Sequence, residues 1–178
     1  MVIQQIILLV INVVGGAAVI GSYALGLVAN PGSGGALWGE TSESIRLVYS
    51  ISMIPAALGY FAFIYYILFR LSPLEVTIAN SLGYSTFYWI FIGILVPSAL
   101  WMPLTFAMIA NPSAGMWFGV RSVLVLVGLS SFALLWALLS LNVKEPEIPY
   151  WLAVAGSSYF AFHTGILDML LWPVLFRM

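Results

Sequence analysis

Apolar runs long enough to cross a bilayer recur along this chain, each closed by a short break containing Pro, Gly or Asn. A helix needs about 20 apolar residues to span the hydrocarbon of a membrane, and within lipid it satisfies its backbone polar groups internally. Five Lys and Arg and six Asp and Glu make up the formal charge of 178 residues. That is 6%, against about 25% in a soluble domain. With a mean hydropathy of +1.10, too few polar side chains remain to cover a water-facing surface. The expectation is an all-α integral membrane protein, multi-pass and one domain over residues 1–178, built as a bundle of five transmembrane helices with short loops.

The first span is expected over 3–28, stopping at Asn30-Pro31-Gly32, where proline and glycine break a helix. Thr41 or Ser42 can cap the second, expected over 46–69, with Glu40 and Glu43 near its positive end. Residues 73–110 are too long for one straight helix, which would reach about 57 Å at 1.5 Å per residue. Ser72-Pro73-Leu74-Glu75 has the form of a capping box, which predicts a short interfacial helix over 73–82 and a third span over 84–110. Pro55 in the second span, with Pro97 and Pro103 in the third, is expected to bend those helices. The fourth and fifth spans are expected over 117–141 and 150–176.

Met1 to Leu9 has no basic residue before its apolar run, which favours a retained first helix over a cleaved signal peptide. Arg70 and Lys144 fall on one face of the membrane, and Arg46, Arg121 and Arg177 on the other. Two against three leaves orientation open. A net charge of −1 provides no basic patch for nucleic acid. The absence of cysteine excludes disulfides and thiolate metal sites, and a single histidine excludes bis-histidine haem. No cofactor and no metal are expected, and no Walker, HExxH or GxSxG motif is present.

Polar groups inside the spans are the functional candidates, because charge in lipid is costly and tends to be kept for a purpose. In the fifth span Ser157, Ala161, Thr164 and Asp168 lie within about 60° of one another on an α-helix. His163 stands five residues from Asp168, about 140° away at α-helical pitch, so the two are not expected to meet. Tyr159, four residues before His163, is placed to hydrogen-bond it directly or through water. Arg121 and Asp168 each lie roughly 6–12 Å deep from the same face, which predicts an ion pair between spans four and five. The candidate ligand-binding residues are therefore Asp168, Arg121, His163, Tyr159, Thr164 and Ser157. In the first span Gly15, Ala18, Ser22 and Gly26 form a stripe expected to contact another helix.

Seven Trp, nine Tyr and eleven Phe are spread through the spans and their ends, including Tyr60, Tyr88 and Trp101. Together with bent second and third helices they can wall an apolar cavity. Five aromatic-rich spans resemble the translocator family of membrane proteins in outline, but that family's tryptophan–proline pattern has no match here. Short loops, low charge and small-residue stripes lead to a non-enzymatic subunit or accessory component of a membrane assembly. Its expected partners are the lipid bilayer and other membrane subunits or further copies of itself. The alternative is a binder or carrier of a hydrophobic or lipid-like small molecule, marked by a cavity that reaches Asp168, His163 or Tyr159. A third reading is a membrane-embedded enzyme or proton-coupled transporter using Asp168 and His163.

Overall fold

In the computed structural model residues 1–176 are described; Arg177, counted above among the cations of one face, lies outside them. The described chain is helical. Its main helices are α1 (Ile3–Ala29), α2 (Glu43–Tyr65), α3 (Thr86–Ala110), α4 (Ala114–Leu139) and α5 (Glu147–Ala161). Two of them change pitch. α2 runs on into a π-helical turn, Tyr66–Arg70, while α5 continues as a longer π-helical segment, Phe162–Leu171, and a closing α-turn, Trp172–Leu175.

Four stretches are long and apolar enough to cross a membrane: Ile3–Ala29, Glu43–Arg70, Thr86–Ala110 and Ala114–Leu139, with mean hydropathies of 2.2, 1.8, 1.9 and 2.3. The fifth stretch is diluted by Ser157, Ser158, His163, Thr164 and Asp168. Large apolar side chains such as Val13, Ile20, Leu58, Phe61 and Trp89 are exposed on the outside, as fits a membrane protein. α4 starts three residues before its expected position because Ser113 caps it, its Oγ accepting from the Met116 N–H at 3.2 Å.

The expected interfacial helix over 73–82 does not form. The Ser72 carbonyl closes a single turn, accepting from the Glu75 and Val76 amides at 3.3 and 3.1 Å. The chain then doubles back through Ala79 and Asn80, both left-handed at φ 49° and 60°, so that Ile78 pairs with Leu82. Side-chain residues in that conformation interrupt a right-handed helix. Asn142 from the α4–α5 loop holds the fold in place: its amide donates to the Thr77 carbonyl at 3.0 Å, and its Oδ1 accepts from the Thr77 amide at 2.7 Å. Tertiary contact therefore outweighs the local capping pattern.

The helices pack in the order α1, α3, α4, α5, α2, a ring left open between α1 and α2. Small residues set the close approaches. Gly59 of α2 and Gly156 of α5 meet backbone to backbone, where a Cβ on Gly59 would stand 2.5 Å from the Gly156 carbonyl oxygen. Gly15 and Gly26 of the expected stripe lie against Leu95 and Met102 of α3, whereas Ala18 faces outward. At the end holding the α2–α3 and α4–α5 loops, Phe63, Tyr66, Phe87, Phe91, Leu134 and Tyr150 form a dense core.

Candidate functional site

Below that core a cavity of about 550 Å³ occupies the middle of the ring. Its walls come from all five helices and are largely apolar, including Val19, Ala56, Leu95 and Phe160. Along α1 it extends from Asn12 to Tyr23, about 16 Å at 1.5 Å per residue. Ile20 of α1 and Met53 and Phe61 of α2 stand on its rim and are exposed on the outer surface. The cavity therefore opens sideways through the gap between α1 and α2. At the cavity a hydrogen bond crosses that gap inside the bundle, the Tyr60 hydroxyl donating to Asn12 Oδ1 at 2.5 Å, while Asn12 Nδ2 donates to the Leu8 carbonyl at 2.8 Å.

The polar end of the cavity is made by the change of pitch in α5. In a π-helix hydrogen bonds run between residues five apart, so residues at that spacing come into line. His163 and Asp168 stand five apart within Phe162–Leu171, and His163 Nε2 lies 3.7 Å from Asp168 Oδ2. The 140° separation expected at α-helical pitch is overturned for that reason. Side chains add hydrogen bonds to carbonyls along and just before this segment. The Tyr49 hydroxyl donates to the Leu167 carbonyl at 2.6 Å, and Thr164 Oγ1 donates to the Phe160 carbonyl at 2.9 Å.

Ser52 of α2 links this dyad to a third group. The Tyr159 hydroxyl donates to Ser52 Oγ at 3.2 Å, and Ser52 Oγ lies 2.9 Å from His163 Nδ1. With Tyr159 donating to it, the serine can give its own proton to Nδ1, which places the ring proton on Nε2, facing Asp168. Tyr159 thus reaches His163 through Ser52. The result is a chain of hydroxyl, hydroxyl, imidazole and carboxylate, with Ser52 and His163 buried and the Asp168 side chain 29% exposed toward the cavity.

The other expected site residues separate into two kinds. Thr164 lines the cavity and bonds Ser131 of α4 at 2.8 Å. Ser157 is fully buried at the helix interface, donating to the Val154 carbonyl at 3.0 Å, and does not reach the cavity. The expected Arg121–Asp168 pair is absent among the described residues. Arg121 is exposed on the outer side of α4, and Asp168 turns inward with His163. Similar depth on neighbouring helices does not ensure a shared face.

Sequence reasoning missed Ser52 and Tyr49, which read as ordinary residues of an apolar helix. Trp101, named among the aromatics able to wall a cavity, lines it, while its indole Nε1 is buried out of contact with open space and has no hydrogen-bond partner among the described residues. The Trp101 ring lies 5.8 Å from that of Tyr23, which shares the same wall, and 5.8 Å from Trp172 behind it. Compared with family models, with curated proteins and with solved structures, the chain matches none.

Proposed function

We propose that this chain is a multi-pass integral membrane protein of five spans that binds or carries a hydrophobic, lipid-like small molecule within the bilayer. In this reading Pro55, Pro97 and Pro103 bend α2 and α3 around the ligand, since each proline removes a backbone hydrogen bond inside its helix. The observation that carries the proposal is the cavity itself. Its volume of about 550 Å³ lies in the range of small-molecule sites, and its apolar walls end in a small cluster of polar groups. A mouth between α1 and α2 suits a ligand that arrives from lipid. The subunit reading has the short loops and low charge in its favour, but no particular surface feature favours it over the cavity.

The test is saturable binding of an apolar fluorescent probe to the purified protein in lipid nanodiscs. Gly16 lines the cavity, and a side chain begun there meets no atom within 4 Å, so Gly16→Phe fills the space without forcing the helices apart. The expected outcome is binding by the wild type and loss of binding in a Gly16→Phe protein that melts normally. A stable wild-type protein that binds no apolar probe, and leaves its membrane with a partner at fixed stoichiometry, would replace this reading with the subunit one. Proton-coupled carriage is a second reading, favoured by the contact between His163 and Asp168. Transport by Asp168→Asn that is unchanged under a pH gradient would end it.

A further inference from the structure

We infer that the ligand of this cavity is an amphiphile with a cationic amine head, the chemistry of a long-chain amine. This rests on the ligand-binding reading above and specifies its substrate class.

The cavity wall holds one carboxylate, Asp168, and neither lysine nor arginine. His163 stands 3.7 Å from that carboxylate, beyond the length of a good hydrogen bond. The exposed part of Asp168 therefore faces an apolar space without a cation of the protein's own. A carboxylate held out of water is costly until it is paired, and a ligand ammonium entering from the cavity side supplies the missing partner. The wall beside it is aromatic. Tyr23 and Trp101 present their rings to the same space, and a cation against such rings gains from the negative charge of their faces.

The alkyl chain then lies along Leu95, Ala56 and Val19 toward the Tyr60–Asn12 bond. A fatty acid places a second carboxylate against Asp168, and a fatty alcohol leaves Asp168 without a counter-charge.

The experiment compares hexadecylamine, hexadecanol and palmitate, all of one chain length, as competitors of a bound apolar probe in nanodiscs, using wild type and Asp168→Asn. The expected order is hexadecylamine, then hexadecanol, with palmitate weakest and each step about tenfold, the scale of one charge-assisted hydrogen bond. Asp168→Asn is expected to bring hexadecylamine level with hexadecanol. If Asp168→Asn does not fold, the wild-type order still decides the matter. Hexadecanol or palmitate competing as well as the amine would overturn the amine assignment while leaving the ligand-binding reading intact. Failure of the probe and all three compounds to bind would overturn both.

Discussion

Among the described residues two helices widen to π pitch, and they do so to different ends. In the turn Tyr66–Arg70 at the end of α2, the freed carbonyls are met by outside side chains. The Tyr84 hydroxyl donates to Ile67 O at 3.0 Å and Gln5 Nε2 to Leu68 O at 2.8 Å. Tyr66, Ile67 and Leu68 are buried in a dense apolar core. In Phe162–Leu171 a side chain from outside also donates to a carbonyl, Tyr49 to Leu167 O, but the residues brought into line are His163 and Asp168, and one side of the segment faces a void. A π-helix at an unusual site is often taken as a sign of function. Here the pitch is common to both segments. What separates them is whether the widened turn aligns ionisable groups and whether there is space in front of them.

That comparison can be broken most completely at the crossing of α2 and α5. Gly59→Leu places a side chain where a single Cβ would already stand 2.5 Å from backbone, so the helices must part. Ser52 would then lose His163, and the closed core would lose its α2–α5 contact. We expect a loss of about 3 kcal/mol or more by thermal unfolding in detergent, with ligand binding gone as well. Unfolding at the wild-type temperature would show that this crossing holds neither region together.

A smaller effect separates the two segments. Tyr84→Phe leaves the Ile67 carbonyl without its donor at the closed end, which is expected to cost about 1–3 kcal/mol while probe affinity stays the same. Asp168→Asn is expected to do the opposite, altering ligand selection with little change in melting. If Tyr84→Phe weakened ligand binding as much as Asp168→Asn does, the two π segments would be coupled and the contrast drawn here would fall. The smallest effect belongs to Arg121→Gln. Because Arg121 is exposed and apart from Asp168, neither melting nor competition by amines should change measurably. A clear loss of amine binding would restore the ion pair expected from sequence.

The sequence made the helices legible because membrane spans need only length and apolar composition, which residues 3–29 and 114–139 carry plainly. Gly15 and Gly26 were readable as contacts for the same kind of local reason: small residues at helical spacing mark a close approach. The loop at 73–82 was not readable, since its capping pattern competes with Asn142, more than sixty residues away in the chain. Asp168, His163 and Thr164 were identified as polar groups in an apolar run, yet their arrangement was misjudged. Arg121 failed because depth along a helix fixes height and not direction.

The amino-acid sequence alone thus determined that this chain is built of long apolar helices and that a few polar groups are set within the last of them. Those are properties of composition, summed over neighbours in the chain. Only the tertiary structure decided that His163 meets Asp168, that Ser52 joins them to Tyr159, and that Asp168 faces a cavity walled by all five helices. Angular placement on a helix depends on its pitch. Here the pitch widens from Phe162 to Leu171, and the wider turn brings residues five apart into line, which no count of neighbours in the sequence foretells.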